Sequence, residues 1–344
     1  MPVTIYDVAT KAGVSKSTVS LVINNSNKVK TETRQKVYEA INDLGFIPNL
    51  TARGLTTKKT NVLGLLIMVE DREYQSYNFN VETEIFPYDV MAGMPGGLVG
   101  TNYGLLSERY MVSQGDLDLP NMLKSKRVDG IFIIGSSFDK RLIDLISSFD
   151  IPIVIIGRHY DSIDSISADI SKGVYIAGEQ LIITGHRRLC YINCPLFFCT
   201  NQERASGFTQ VIDDYKNDIS QTWLINAEHN SGLGGYNAIK SVFEAGNNPD
   251  GILAANDSIA LGVMRYLYEK KISVPDDISI ISYEDSILSG YATPALSSIN
   301  IDKERIGRKA CEIMINRLEN PKSDYVNMTI PVKLVLRESI RERK

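Results

Sequence analysis

Polar side chains stand directly after the most apolar runs of this chain. Asn256 and Asp257 follow the run ILAA, Glu284 and Asp285 follow ISIISY, and Arg158 follows IPIVIIG. If these runs are parallel strands, their carboxyl ends meet at one edge, where α/β proteins bind ligands. A guanidinium, an amide and a carboxylate around one cleft would clamp a small molecule with adjacent hydroxyl groups. The predicted chemistry is therefore the binding of a small polar ligand.

Arg204 is a further candidate, because it opens a helical stretch after a strand and a loop. Three of the candidates have structural alternatives. Asp257 and Asp285 are equally well placed to cap the helices that follow them. Arg158 is better suited to an ion pair at the surface or between lobes than to ligand binding.

Catalytic and metal-binding signatures are missing from the sequence. The chain has three histidines and none of the GxSxG, HExxH, P-loop or GxGxxG motifs. Cys190, Cys194 and Cys199 are spaced C-x₃-C-x₄-C, without a CxxC pair or an intervening histidine. These cysteines are expected to be buried or half-buried thiols rather than metal ligands. Because the catalytic motifs are missing as well, we expect no enzyme activity, no metal and no cofactor.

Residues 5–24 predict a DNA-reading element. A helix, the turn at Gly13 and a second helix capped by Ser15 form the helix-turn-helix pattern. Lys16 and Ser17 at the start of the second helix suit base edges, and Leu21 offers apolar contact to a thymine methyl. The alternative is a helical protein-interaction module.

Several small polar residues of the same segment suit the phosphate backbone. Ser15, Thr18 and backbone N–H groups at helix starts are placed to bind phosphate oxygens. A third helix, capped by Thr31 and stopped by Gly45, completes a compact head.

The charge of the chain is divided between two regions. Residues 1–60 carry nine Lys or Arg and four Asp or Glu, a net charge of +5, so the remainder of this −4 chain carries −9. Only the head is therefore expected to approach a polyanion. The sequence shows neither a signal-peptide pattern nor an apolar run of 18 residues, which predicts a cytoplasmic protein.

Beyond residue 60, short apolar strands alternate with helical stretches. This alternation predicts an α/β core with parallel sheets covered on both faces. About 280 residues are many for one such sheet, so two lobes are expected. Residues 70–118, where four glycines and a proline lie close together between positions 93 and 100, carry no clear pattern of helix or strand.

Residues 4–60, beginning TIYDVATKAGVSKSTVSLVIN, closely resemble the head and hinge of the lactose-repressor/galactose-repressor (LacI/GalR) family of bacterial transcription regulators. The segments GHRRLCYI, ERASGF, AANDSIALGVM, VPDDISIISYEDS and LVLRES resemble that family's core, which is like a type I periplasmic binding protein. The resemblance implies a sequence-specific DNA-binding regulator. A small effector that binds between its two lobes is expected to change its affinity for operator DNA.

The resemblance also implies roles for individual residues of the head. Lys16, Ser17 and Leu21 match the base-reading positions, and flanking DNA contacts match at Thr4, Tyr6, Asn24 and Lys28. Residues 49–56 match the hinge helix, which enters the minor groove; Asn49 and Ala52 belong to it, and Leu55 matches the wedging leucine. Leu21 departs from the arginine common in relatives, which puts the preferred base pair there in doubt.

In the core, Arg204, Asn256 and Glu284 match effector-binding positions, and His229 lies near an aromatic that stacks on sugar in some relatives. Glu284 replaces the aspartate that relatives usually carry. The resemblance therefore implies carbohydrate sensing, with repression relieved by an inducing sugar. The alternatives are a corepressor, such as a purine or a phosphorylated partner protein, and a solute-binding protein without a regulatory role.

One helix-turn-helix reads one half-site, so a homodimer on a near-palindromic operator is expected. No leucine-heptad tail follows LRES, which predicts a dimer rather than a tetramer. The predicted domains are a head (1–47), a hinge (48–60), a first lobe (61–158 plus about 288–320) and a second lobe (159–287 plus about 321–344).

Overall fold

The computed structural model describes residues 3–23, 26, 28–46, 59–70, 85–112, 118–135 and 140–343. The predicted hinge residues 48–58 lie outside this part of the chain, as do the predicted DNA contacts Asn24, Asn49, Ala52 and Leu55. The chain divides into two units, residues 1–60 and 61–344.

The described residues of the first unit form three helices, α1 (Ile5–Ala12), α2 (Lys16–Ile23) and α3 (Thr31–Leu44). The Asp7 carboxylate accepts hydrogen bonds from the Thr4 backbone N–H and hydroxyl, at 2.8 and 2.7 Å, and so closes the start of α1. Gly13 ends α1 with a φ of +67°, a conformation that glycine adopts without steric cost.

The core of this unit is small and aliphatic. Six side chains from the three helices are buried together: Val8, Ala9, Val19, Val22, Val37 and Ala40. Ser15 caps α2 as predicted, because its Oγ accepts from the Thr18 backbone N–H at 3.1 Å. The predicted cap of α3 is wrong by one residue, since Thr31 is already helical and Lys30 occupies the cap position.

The second unit contains two six-stranded sheets. Its strands, in chain order, are β1 (Val62–Glu70), β2 (Gly104–Val112), β3 (Gly130–Gly135), β4 (Ile153–Ile156), β5 (Asp164–Ala168), β6 (Arg188–Asn193), β7 (Gln221–Asn226), β8 (Gly251–Ala254), β9 (Ser279–Glu284), β10 (Ser297–Asn300), β11 (Asn327–Ile330) and β12 (Lys333–Val335).

The strand order is β11-β5-β4-β3-β1-β2 in the first sheet and β12-β10-β9-β8-β6-β7 in the second. All pairings are parallel except the antiparallel pair of β12 with β10. Most central strands are fully buried, as expected for parallel sheets covered by helices. This confirms the predicted α/β core of two lobes.

The helices of this unit, in chain order, are α4 (Ile85–Leu98), α5 (Asn121–Lys124), α6 (Lys140–Ser147), α7 (Ile170–Ile183), α8 (Asn201–Asp214), α9 (Gly232–Glu244), α10 (Asp257–Glu269), α11 (Ile287–Tyr291) and α12 (Lys303–Glu319). Helices α4 and α12 pack in the first lobe, and α7 to α10 pack in the second.

The lobe boundaries differ from those predicted. Strand β5 lies in the first sheet beside β4, although residues 159–287 were expected in the second lobe. Strand β10 pairs with β9 in the second sheet, and β11 returns to pair with β5 in the first. The sequences DSISA, SSIN and NMTI carry little apolar pattern, so they did not indicate which sheet each strand joins.

Helix α4 lies within the stretch that the sequence left unassigned. A Cβ atom at Gly93 would lie 2.1 Å from the Glu304 carbonyl oxygen, and one at Gly97 would lie 2.3 Å from that of Arg308. These glycines therefore let α4 press directly against the backbone of α12.

A buried ion pair ties α12 to β5 of the first sheet. Arg317 Nε and Nη2 donate to the two Asp164 carboxylate oxygens, at 2.7 and 2.9 Å. Arg317 also donates to the carbonyls of Ser323 and Asp324, at 2.6 and 2.9 Å. This network holds the segment that leads from α12 into β11.

Within the described residues, no helix is long and apolar enough to cross a bilayer. The same residues contain no group of three or more His, Cys, Asp or Glu side chains suited to hold a metal ion.

Candidate effector cavity and DNA-reading surface

The predicted base-reading residues lie exposed on α2. Lys16 and Ser17 open this helix, and Leu21 follows one turn after Ser17 with 38% of its surface exposed. Lys16 Nζ lies 3.3 Å from Tyr6 Oη and 4.8 Å from the centre of the Tyr6 ring. The Tyr6 ring thus holds a cation at the start of the helix through a cation–π contact.

The remaining predicted contacts of the head are also placed on its surface. Lys28 and Thr4 are exposed, and the Thr4 hydroxyl is bound to Asp7. The hydroxyls of Ser15 and Thr18 lie 2.9 Å apart at the start of α2. The N-terminus of α2 therefore combines hydroxyl groups, free helix N–H groups and a lysine, which together suit a phosphate backbone.

A cavity lies between the two lobes at the carboxyl ends of the strands. Its lining is mainly apolar and includes three aromatic side chains. The lining residues are Ile67, Met68, Val69, Phe86, Pro87, Gly135, Gly157, Ser167, Ala168, Ile170, Cys194, Phe198, Cys199, Thr200, Arg204, Asn230, Ala255, Asn256, Tyr283, Glu284 and Ile301.

Arg204, from the first turn of α8, is the buried cation of this cavity. Its Nη1 donates to the Ala255 carbonyl at 2.8 Å and its Nε to Thr200 Oγ1 at 3.3 Å. The guanidinium also lies 4.4 Å from the centre of the Tyr283 ring. These contacts fix a planar array of five N–H donors against the cavity wall.

Asn256 has a structural as well as a lining role. Its Oδ1 accepts from the Ile259 backbone N–H at 2.8 Å, which caps α10, and its Nδ2 donates to Asn230 Oδ1 at 2.9 Å. Asn230 lines the same cavity. The amide of Asn256 therefore orients a second amide toward the ligand space.

Glu284 is the carboxylate of the cavity and ends β9 with a φ of +99°. Burial raises the pKa of Glu284 to about 7, against the opposing effects of Lys303 and Arg204. The negative charges of Asp257 and Asp89 raise this pKa further. Near neutral pH, the carboxyl group of Glu284 is therefore present in both protonation states. The carboxylate only accepts hydrogen bonds, and the carboxylic acid can also donate one.

The comparisons with known proteins agree with this arrangement. Residues 4–49 match the family described as bacterial regulatory proteins, lacI family, and residues 179–340 match the periplasmic binding protein-like domain. The HTH-type transcriptional repressor PurR of Edwardsiella ictaluri (strain 93-146) is 30% identical over 347 residues, covering 98% of this chain and 97% of that protein.

The PurR repressor of Actinobacillus pleuropneumoniae serotype 3 (strain JL03) is 31% identical over 342 residues, covering 98% of both chains. The chain belongs to the lacI family of bacterial regulatory proteins. This lacI-family protein is thus a DNA-binding transcriptional repressor modulated by a small ligand, and the predictions of a regulator rather than an enzyme are confirmed. The alternative of a solute-binding protein without a regulatory role is wrong.

Solved structures share the fold of this lacI-family repressor. The lac repressor dimer bound to operator and the anti-inducer ONPF has a TM-score of 0.81 and 24% identity, covering 99% of this chain and 100% of that chain. The complex of the transcriptional regulator CelR with cellobiose has a TM-score of 0.70 and 24% identity, covering 98% and 99%.

Three residues predicted for the effector site lie outside the cavity lining. Arg158 and His229 are each one residue away from a lining residue, Gly157 and Asn230. The Asp285 carboxylate is turned away and accepts from Arg337 Nη2 at 2.6 Å, and also from Ser289 and Asn300. Asp285 thus secures the end of β9 and does not face the ligand space.

Asp257, for which capping and ligand binding were both open, does neither. Its carboxylate is buried and accepts hydrogen bonds from the hydroxyls of Ser282 and Ser298 and from the Ser286 backbone N–H. Burial raises the pKa of Asp257. The cap of α10 is provided by Asn256.

The sequence did not indicate the aromatic part of the cavity, formed by Phe86, Phe198 and Tyr283. Phe86 lies in the unassigned stretch, and Phe198 lies in the loop between β6 and α8. Tyr283 precedes Glu284 in the run ISIISY, and its position at the strand end was the one signal available for it.

Two thiols also line the cavity. Burial raises the pKa of Cys199 to about 12 and also raises that of Cys194. Both are therefore neutral thiols at physiological pH and contribute soft, weakly polar surface rather than a nucleophile.

Proposed function

We propose that this lacI-family repressor binds a purine-type heterocycle in the cavity between its lobes and that this ligand sets operator affinity. The observation that carries the proposal is that a guanidinium, Arg204, and a carboxyl group, Glu284, both line a cavity that also includes three aromatic rings. A planar base offers ring faces to such side chains and hydrogen-bonding atoms only along its edge.

The polar groups of the cavity match the edge of a purine. Arg204 presents donors for ring nitrogen or carbonyl acceptors, and Glu284 accepts from a ring or exocyclic N–H. The PurR repressors that share 30% identity over nearly the whole chain support this class, which the sequence left as an alternative to a sugar.

A sugar is the second candidate. Arg204 and Glu284 on one wall would bridge adjacent hydroxyl groups, and apolar rings pack against the C–H faces of sugars. The CelR structure, which has this fold, is a cellobiose complex, but its 24% identity supports the fold alone. The 30% identity with PurR repressors over nearly the whole chain favours the purine.

For operator DNA, we propose that Lys16, Ser17 and Leu21 enter the major groove. Thr4, Tyr6, Ser15, Thr18 and Lys28, together with Asn24, would contact the flanking backbone. Asn49, Ala52 and Leu55 would enter the minor groove at the centre of the site, with Leu55 as the wedge. Two chains on a near-palindrome would supply two such heads, so a homodimer is proposed.

Effector binding would shift an equilibrium between two arrangements of the lobes that differ in operator affinity. By this mechanism, the ligand changes operator affinity only as far as its own affinity differs between the two arrangements.

A thermal-shift screen tests the effector proposal. Hypoxanthine, guanine and adenine would be compared with ribose, galactose and cellobiose on wild type, Glu284→Ala and the exposed control Glu228→Gln. We expect a purine to raise the melting temperature of wild type and of Glu228→Gln but not of Glu284→Ala. If only a sugar stabilises the protein, the proposed ligand class is wrong and a sugar takes its place. If a purine still stabilises Glu284→Ala, the proposed binding site is wrong.

A binding selection on random duplexes tests the DNA proposal. We expect enrichment of a near-palindrome, and Lys16→Ala should relax base preference at one position in each half-site. The absence of any preferred site across a range of salt concentrations would contradict the proposed readout.

A further inference from the structure

A buried lysine connects the two lobes beside the cavity. Lys303 is the first residue of α12 and only 9% of it is exposed. Its Nζ lies 2.9 Å from Asp89 Oδ2 on α4, and it donates to the Glu284 carbonyl oxygen at 2.9 Å. Since α4 and α12 cover the first sheet and Glu284 ends a strand of the second, one ammonium group binds both lobes.

Glu284 has two different tasks at this point. Its side chain lines the cavity, while its backbone carbonyl accepts from Lys303. Its φ of +99° is unfavourable for a residue with a side chain and persists only where surrounding contacts hold it. A ligand bound to the carboxylate would therefore act on the same residue whose carbonyl oxygen Lys303 holds.

In the first lobe, the residues that hold Lys303 belong to two closely packed helices. Asp89 lies on α4, and α4 packs on α12 with backbone contacts at Gly93 and Gly307. A Cβ at Gly307 would lie 2.0 Å from the Val90 carbonyl oxygen, one residue from Asp89. The two helices are thus closely packed, and Lys303 lies where they meet the second lobe.

We infer that Lys303, held by Asp89, is a coupling residue that transmits the state of the effector cavity to the first lobe through the Glu284 carbonyl. This inference rests on the proposed effector cavity. It assigns Lys303 no contact with the ligand. A lysine charge that is removed from water needs such partners to offset its desolvation, and this one has partners in both lobes.

The inference differs from a purely structural role in a measurable way. A pair that only joined α4 to α12 would change stability within the first lobe but not the effect of a ligand on DNA binding. A coupling residue changes the ratio of operator affinities with and without saturating ligand.

The test uses the full chain, the selected operator duplex and hypoxanthine as the probe. Operator Kd would be measured by fluorescence anisotropy with and without saturating hypoxanthine, and hypoxanthine Kd by calorimetry. The variants are Lys303→Met, Lys303→Arg and the control Lys309→Met, whose amine pairs with Glu312 on the same helix.

In Lys303→Met, the ratio of operator affinities with and without hypoxanthine should fall by about fivefold or more when hypoxanthine is saturating for each variant, so that a change in its own Kd does not enter the ratio. Lys303→Arg should recover part of the ratio, and Lys309→Met should match wild type. A wild-type ratio in Lys303→Met would overturn the inference.

Hydrogen exchange on ligand-free protein provides a second measurement that does not need an effector. Lys303→Met should speed exchange both in α4 and in residues 284–291 of the other lobe. A change confined to one lobe, or none, would overturn the coupling role. If hypoxanthine does not bind wild type, the purine proposal fails, and this exchange pattern still decides whether Lys303 links the lobes.

Discussion

Replacing Glu284 with Gln should stabilise the core at pH 8 and leave its stability nearly unchanged at pH 5. Burial raises the pKa of Glu284 from its ordinary value of 4.5 to about 7. The folded state therefore binds a proton between these pH values that the unfolded state has released. By linkage, this carboxyl group lowers the free energy of unfolding as pH rises through that window.

The magnitude follows from the width of the window. Each pH unit between the two pKa values corresponds to about 1.4 kcal/mol, which gives about 3 kcal/mol for a fully enclosed group. Glu284 is only half-buried, and solvent in the cavity screens its charge, so about 2 kcal/mol is expected. Glutamine keeps the size of the protonated side chain and has no charge to bury.

Urea unfolding followed by Trp223 fluorescence measures this difference. Trp223 is the single tryptophan and lies in β7, so its signal reports the second unit of the chain. Glu228→Gln, an exposed carboxyl replaced in the same way, should show no such pH dependence. An equal stability difference between wild type and Glu284→Gln at pH 5 and pH 8 would refute the reasoning.

Three further predictions concern other parts of the molecule. Arg317→Met should destabilise the core by about 3–5 kcal/mol, because it leaves the buried Asp164 carboxylate without its partner; a loss below about 1 kcal/mol in urea unfolding would contradict this. Gly97→Ala should destabilise the core by about 1–3 kcal/mol, since the added methyl group meets the backbone of α12. An unchanged melting temperature would show that α4 shifts to accommodate the methyl group. Leu21→Arg should change the preferred base pair at one position of each half-site towards guanine, as measured by binding selection; an unaltered selected sequence would place Leu21 outside the groove.

The head could be predicted well because its signals are local. Gly13 and Gly45 adopt φ values of +67° and +61° at the ends of α1 and α3, where the sequence predicted stops. Ser15 caps the helix that follows it within three residues. Signals of this kind act over one or two turns, so a single sequence shows them directly.

Helix α4 could not be predicted for the opposite reason. Gly93, Pro95 and Gly97 indicate turns in isolation, yet Gly93 and Gly97 are helical because α12 approaches them, and α12 lies about 200 residues later in the chain. No local pattern carries that information.

The cavity was predicted in part. Arg204, Asn256 and Glu284 converge there because the ends of parallel strands share an edge. The prediction that Asp285, the neighbour of Glu284, lines the cavity is wrong. Its carboxylate binds Arg337, which lies 52 residues later in the chain, and no local pattern indicates that contact. Phe86 and Phe198 were missed since nothing in their surroundings marks them as lining residues.

The order of strands has a consequence for biosynthesis. Strand β11 completes the edge of the first sheet beside β5, and β12 completes the edge of the second beside β10. One side of β5 and one side of β10 therefore stay without a neighbour on the ribosome until residues 327–335 have been made, although β5 was made about 160 residues earlier. At about 5–20 residues per second, β5 waits on the order of ten seconds for its neighbour. A message truncated before residue 327 would leave β5 and β10, which are largely buried in the complete fold, as edge strands. Unprotected edge strands favour aggregation, even in a chain that carries an intact DNA-reading head.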